Sequence, residues 1–335
     1  LIISAVCKLP NDIVSKSITL TSTLIGFLPH CIINPREQKH GVEIMFEGNF
    51  QQARLLIAGL GMMGGSFAMA ASERKLFKSI EGYDITSPTI EKAIQIGAIQ
   101  RGTDDLHDAI SRTDIVVVAT PLSSIIRICR DIGMMMDHPG LVMDLGSTKK
   151  DIVLEMEKLP QHIEAIGCHP VCGGFKPGID YARADLFMGK TFVICPVKGK
   201  SPEAQTAAFQ LAQKIGAKPC VIDAVTHDER VAVTSHLPYL LSVLLMQVAT
   251  DRSQEDKEVW DLVGGGFRQV SSLSEAGKTI WKDILIMNQA NMRDLIADLR
   301  TNLDQWETAL FNHDEKWIGD VLANVREARI RLGDK

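Results

Sequence analysis

Long apolar runs are missing from this chain of 335 residues. No stretch reaches the roughly 18–20 residues that a membrane span needs. The most apolar early segment, Ile18 to Ile33, is interrupted by Thr, Gly, Pro and His and lacks both a basic leader and a convincing cleavage site, so it reads as neither signal nor anchor. Positive charge is not in excess either. The 36 Lys and Arg against 41 Asp and Glu give a net charge of −5 with no basic stripe, which argues against nucleic acid as the main partner. Paired cysteine spacing is also absent. The seven cysteines are odd in number, sit mostly inside apolar runs and form no C-x-x-C pair, which excludes the common zinc and dithiol patterns and leaves thiols packed as small hydrophobes. The expectation is a soluble cytoplasmic protein with no membrane segment.

What is present is an alternation of short β-branched runs with helix-period segments, the pattern of βαβ units and a mostly parallel sheet. The runs are Arg54–Ala58, Ile80–Asp84, Ile115–Ala119, Leu141–Leu145, Glu164–Cys168, Thr191–Cys195 and Pro219–Ile222. One intervening helix opens at Ser87-Pro88 and closes at Gly97, and another runs from Ser201-Pro202 to Gly216. After Asp223 the strand signals stop. The rest is helix-period sequence broken at Gly264-Gly265-Gly266 and at Gly277, with wide apolar faces such as Leu240, Leu241, Val243, Leu244, Leu245 and Val248. Such faces are expected to be buried between helices, with room for packing against a second subunit. Residues 1–50 show no sustained period, start with Leu and carry Met45 nine residues ahead of the first strand, so they read as an extension of no assigned function. The expected fold class is α/β: a Rossmann-type doubly wound sheet over residues 51–223, then an all-α domain over 224–335.

The first strand runs into Gly59-Leu60-Gly61-Met62-Met63-Gly64 and then into a helix. This G-x-G-x-x-G loop suits a dinucleotide: Gly59 for the tight turn, Gly61 for approach of the pyrophosphate, Gly64 for close helix packing, and Met62 and Met63 in the helix's first turn. Asp84 follows twenty residues after Gly64, placed to bind ribose hydroxyls and repel a 2′-phosphate, which favours NAD over NADP. Thr120-Pro121 fit the wall beside the nicotinamide-side ribose. A glycine-rich turn that binds nothing is the competing reading.

Polar groups collect at two further strand ends, Asp144-Leu145-Gly146-Ser147-Thr148-Lys149 and Gly167-Cys168-His169-Pro170. His169 is the natural base for a hydride transfer, because imidazole titrates near neutrality and can take a hydroxyl proton. A hydrogen-bonded structural histidine would have the same spacing.

Taken in order, these motifs resemble those of the prephenate and arogenate dehydrogenases of tyrosine biosynthesis. The resemblance spans about residues 53–300. It adds Ser235-His236-Leu237-Pro238, Gly264-Gly265-Gly266-Phe267-Arg268, and Trp281-Lys282-Asp283-Ile284 followed by Asn288. It implies NAD-dependent oxidative decarboxylation of a cyclohexadienol, with His169 accepting the ring hydroxyl proton and Ser147 close to that hydroxyl. No metal or covalent nucleophile is required. An anionic substrate calls for cationic donors, for which Arg268 stands first and His236 second, with Lys176 as a further candidate. His227 matches a histidine that the family tends to carry, and helix capping explains it equally. Two departures stand out. Gly174 and Phe175 occupy a loop where an acidic residue goes with arogenate preference, which leans toward prephenate. Ser272 stands where a second arginine is common, so either carboxylate binding draws partly on Lys176, Arg183 or a partner subunit, or the substrate differs. A homodimer through the helical domain is implied. Arogenate dehydrogenase, a β-hydroxyacid dehydrogenase using Lys278 or Lys282, and a catalytically silent NAD-binding regulator are the alternatives.

Overall fold

The computed structural model describes residues 49–172 and 177–333. The expectation for residues 1–48 and the candidates Gly174, Phe175 and Lys176 lie outside the described residues.

Eight strands form one sheet in the order β3-β2-β1-β4-β5-β6-β7-β8. They are β1 (Arg54–Ala58), β2 (Ser79–Tyr83), β3 (Arg101–Thr103), β4 (Ile115–Val118), β5 (Gly140–Asp144), β6 (Ile163–Pro170), β7 (Thr191–Pro196) and β8 (Lys218–Val221). Every pairing is parallel except β6 with β7. Seven of these strands stand where the β-branched runs place them, with ends shifted by a residue or two. Strand β3 has no counterpart among the runs, because three residues with a Gly at the centre carry no periodic signal.

The helices are α1 (Met62–Glu73), α2 (Ser87–Gln95), α3 (Leu106–Ile110), α4 (Leu122–Met135), α5 (Lys150–Met156), α6 (Pro202–Lys214), α7 (Ala224–Val231), α8 (Leu237–Glu255), α9 (Gly265–Ser271), α10 (Lys278–Met287), α11 (Gln289–Phe311) and α12 (Glu315–Gly333). Leu55, Ile57, Ile115 and Val117 face one side of the sheet and pack on α1, α2 and α6, while Leu56, Val116, Val118 and Val142 face the other and pack on α4 and α5. Central strands buried on both faces explain why the runs are continuously apolar rather than alternating. Ile284 of α10 belongs to the second of these cores, with Trp281 and Met287 packed against it, so the helical part is docked on the sheet by apolar burial.

A π-helical turn, Ala232–His236, joins α7 to α8, making one continuous helix from Ala224 to Glu255. This helix is long and apolar enough to cross a membrane by length and composition, which corrects the expectation that no segment would qualify. The wide apolar face is only partly covered by the helices of the single chain. Leu241, Leu244 and Val248 are exposed within the single chain, as are Leu303, Leu310 and Phe311 of α11. The helices among the described residues leave part of that face uncovered.

Candidate active site

The order reverses between β1 and β4, and a doubly wound sheet opens its ligand crevice at that point, beyond the carboxyl ends of the strands. The loop after β1 enters the crevice with Gly59 at φ +98, a conformation that side chains disfavour. A Cβ on Gly64 would lie 1.9 Å from the Gly59 carbonyl oxygen, so α1 approaches the loop as closely as a glycine allows. At Gly61 a Cβ would meet nothing within 4 Å, which leaves open space over the N-terminus of α1. Asp84 ties the loop from the neighbouring strand: one carboxylate oxygen accepts the Leu60 N–H at 2.9 Å and the other accepts the Thr86 N–H at 3.0 Å. Thr120 stands against Gly59, and its buried hydroxyl has no partner. A glycine cradle with open space, a carboxylate fixed at its rim and an orphaned hydroxyl suit a dinucleotide. Asp84→Ala should weaken the discrimination against NADP and lower affinity for NAD as well, because the Leu60 N–H loses its acceptor. Dissociation constants for both dinucleotides, measured by titration, check this.

Beside the loop lies a cavity of about 530 Å³. Met62 and Met63 line it from α1, Leu145 and Ser147 from the β5 end, His169 and Pro170 from β6, and Thr234, Ser235 and His236 from the π turn. Ile280, Trp281 and Ile284 close it from α10. The π turn inserts one residue per turn and re-aims the side chains it carries. Behind Trp281, Tyr239 stacks at 3.8 Å with an interplanar angle of 1°.

The polar network behind the cavity determines which nitrogen of His169 is free. Asp228 is buried, and its carboxylate caps α5 by accepting the Lys149 N–H at 2.7 Å and the Lys150 N–H at 2.9 Å. The same carboxylate lies 2.7 Å from His227 Nδ1, and His227 Nε2 lies 2.8 Å from His169 Nδ1. An ionised carboxylate only accepts, so His227 offers Nδ1–H to it, and the neutral form of that ring then carries a lone pair at Nε2. Against that form of His227, His169 donates from Nδ1 and its Nε2 is unprotonated. Burial, together with His227, Lys149 and His236 nearby, holds the His169 pKa well below the usual value and keeps the ring neutral. His236 is pushed down to about 4 by burial, and its Nδ1 is 3.1 Å from Asn288 Nδ2, which also donates to the Asp228 carbonyl at 2.8 Å.

Asp144 organises the strand ends. Its oxygens accept the Cys168 N–H at 2.9 Å and the Gly146 N–H at 2.8 Å, so one carboxylate holds both the residue before His169 and the residue before Ser147. Lys149, fully buried, neutralises it through its Nζ.

Two neutral histidines cost stability in acid. In the window from about 6.5 down to about 4 the unfolded chain binds more protons than the folded one, so stability falls as pH falls. The thermal midpoint should drop between pH 7 and pH 4.5, and His169→Asn should reduce that drop.

The structure brings Ser147, His169 and His236 together on one cavity, next to the glycine loop with Met62 and Met63. Two candidates are placed otherwise. His227 is buried behind His169 and bonded to it, not aimed at a ligand, because its own donor is taken by Asp228. Arg268 is exposed on α9 and does not line the cavity, because α9 packs on α8 and turns this side chain to solvent. Among the described residues the lining contains no Lys or Arg. Asp228 and Asn288 were not singled out for the site beforehand. The one local signal for Asp228 is its adjacency to His227, and nothing in the sequence shows that its carboxylate reaches Lys149 and Lys150.

A dinucleotide crevice opening onto a cavity with an unprotonated imidazole defines a nucleotide-dependent oxidoreductase. The family model for the prephenate dehydrogenase nucleotide-binding domain matches residues 67–221, and that for the prephenate dehydrogenase dimerization domain matches residues 223–324. The chain belongs to the prephenate dehydrogenase family. It is 25% identical to prephenate dehydrogenase of Bacillus subtilis over 84% of this chain and 76% of that protein. It is 22% identical to cyclohexadienyl dehydrogenase of Zymomonas mobilis over 83% of this chain and 95% of that protein. Among solved structures, prephenate dehydrogenase of A. aeolicus in complex with hydroxyphenyl propionate and NAD+ superposes with a TM-score of 0.79 at 25% identity, covering 84% of this chain and 98% of that one. Arogenate dehydrogenase of Synechocystis gives 0.72 at 25% identity, covering 83% and 99%.

Proposed function

We propose that this enzyme catalyses the NAD-dependent oxidative decarboxylation of prephenate to 4-hydroxyphenylpyruvate, in the cytoplasm, as a homodimer. The observation that carries the reading is the hydrogen-bonded chain Asp228, His227, His169 ending on the cavity beside the glycine loop, and with His227 neutral it presents an unprotonated Nε2 to that cavity. Bound NAD, held by Gly59, Gly61, Gly64, Asp84 and the Thr120-Pro121 wall, supplies the hydride acceptor. His169 Nε2 takes the proton of the ring hydroxyl as the carbinol carbon is oxidised. His227 and Asp228 stabilise the imidazolium that forms, since Nδ1–H of His169 already points at an acceptor. Ser147 orients the hydroxyl. Ile280, Trp281 and Ile284 exclude water from the ring, and loss of carbon dioxide follows from aromatisation. His236, neutral at the cavity wall, acts as a hydrogen-bond partner rather than a cation.

We place the domain boundary at 223/224, with the exposed faces of α8 and α11 as the dimer surface. Arg268 then lies on the helical domain, where it serves substrate binding through the assembled dimer. The β-hydroxyacid reading loses its base, because Lys278 and Lys282 are both exposed and neither lines the cavity. Arogenate is the second substrate to test. Steady-state rates with prephenate and arogenate, each with NAD and NADP, decide: the expected result is the highest kcat/KM for prephenate with NAD. No reduction of either dinucleotide with either substrate would favour a silent regulator.

A further inference from the structure

The Trp281-Lys282-Asp283-Ile284 segment does more than line the cavity. Helix α4 starts directly after the Thr120-Pro121 wall, and its N-cap position is taken by Pro121, which offers no side-chain acceptor. The free N–H groups of its first turn need one from elsewhere. Asp283 of α10, 160 positions away in sequence and 9% exposed, provides it. Its Oδ2 accepts the Ser123 hydroxyl at 2.7 Å and the Ser123 N–H at 3.3 Å. A carboxylate at a helix N-terminus is favoured by both the hydrogen bonds and the helix dipole. On the same turn of α10, Ile284 enters the sheet's core while Ile280 and Trp281 face the cavity. The contact thus joins the wall beside the glycine loop to the wall that closes on the substrate ring.

We infer that Asp283 is a positioning residue, setting the spacing between the Thr120-Pro121 wall and the Ile280, Trp281 wall by capping α4 across the two domains. It touches neither cofactor nor substrate. Its kinetic consequence rests on the function proposed above, while its structural consequence does not.

The test uses the full chain with Ser123→Ala, Asp283→Ala, Asp283→Asn and the Ser123→Ala/Asp283→Ala pair. Asp283→Ala should raise KM for prephenate about tenfold while kcat changes less than threefold. Ser123→Ala should give a smaller rise in the same parameter, and the pair should be no worse than Asp283→Ala, because the two side chains act as one unit. Asp283→Asn keeps an acceptor oxygen and should return KM to within threefold of wild type. An unchanged KM in Asp283→Ala, an Asn variant no better than Ala, or effects that multiply in the pair would overturn the inference. Amide hydrogen exchange covers the case in which prephenate is not the substrate or Asp283→Ala does not fold. Ser123→Ala, altered only on α4, should speed exchange of residues 278–287 at least threefold, and unchanged exchange there would overturn the inference independently of the activity.

Discussion

Replacing His169 with asparagine is expected to lower kcat by about 10²–10⁴-fold, the span for loss of a positioned acid–base group, while the dissociation constant for NAD stays within about twofold of wild type. The separation follows from geometry. His169 stands on β6 at the cavity, whereas the cradle for the dinucleotide is made by Gly59, Gly61, Gly64, Asp84 and Thr120 around β1 and β4. Asparagine preserves a polar side chain of similar reach but has no basic nitrogen. Stopped-flow or steady-state kinetics with a parallel binding titration measure both quantities. A kcat within threefold of wild type would remove His169 from the chemistry.

The second large effect is expected at Asp228, which touches no ligand. Asp228→Asn replaces one acceptor oxygen by an amide NH2, yet the native carboxylate serves three donors: the N–H groups of Lys149 and Lys150 and His227 Nδ1. Whichever way the amide turns, its NH2 meets at least one donor: Lys150 N–H on one side, or both Lys149 N–H and His227 Nδ1 on the other. Facing His227, the NH2 drives the proton of that ring to Nε2, which opposes His169 Nδ1–H and forces the His169 proton onto Nε2, abolishing the lone pair offered to the substrate. Facing Lys150, it removes one of the two capping bonds of α5. The expected outcome is a fall in kcat of about 10²-fold or more together with a lower thermal midpoint, since an unsatisfied buried donor costs about 1–3 kcal/mol. Kinetics and thermal unfolding of one preparation check both. A variant with lowered stability and unaltered kcat would assign Asp228 to capping alone.

Much of this molecule is readable before any coordinates. Gly59, Gly61, Gly64 and Asp84 were legible because the requirement each meets is local: a turn, a close approach, a strand end twenty positions on. The runs at Ile115 and Leu141 were legible because strands covered on both faces are apolar throughout. His169 stood out through its place after such a strand. Relations between distant segments were not legible. Asp228 and Lys149 are 79 positions apart, Asp283 and Ser123 160 apart, and no local period links them. The reversed direction of β7 had no signal either, since a strand pattern is the same read from either end. The placement of Arg268 outside the cavity of the single chain was not legible, because charge does not say which way a side chain points. The apolar face of α8 is legible as unsuited to water, but the sequence does not divide its covering between helices of the same chain and a second subunit, and within the single chain Leu241, Leu244 and Val248 are exposed.

The account turns on a neutral imidazole receiving the hydroxyl proton, and the pH dependence of kcat/KM for prephenate tests that most directly, because it reports groups of the free enzyme. The prediction is an acid limb whose midpoint lies below the ordinary histidine value of about 6.5, with activity lost as pH falls and His169 becomes charged, and with that limb absent from the residual activity of His169→Asn. An acid limb that persists in His169→Asn with the same midpoint would contradict the assignment.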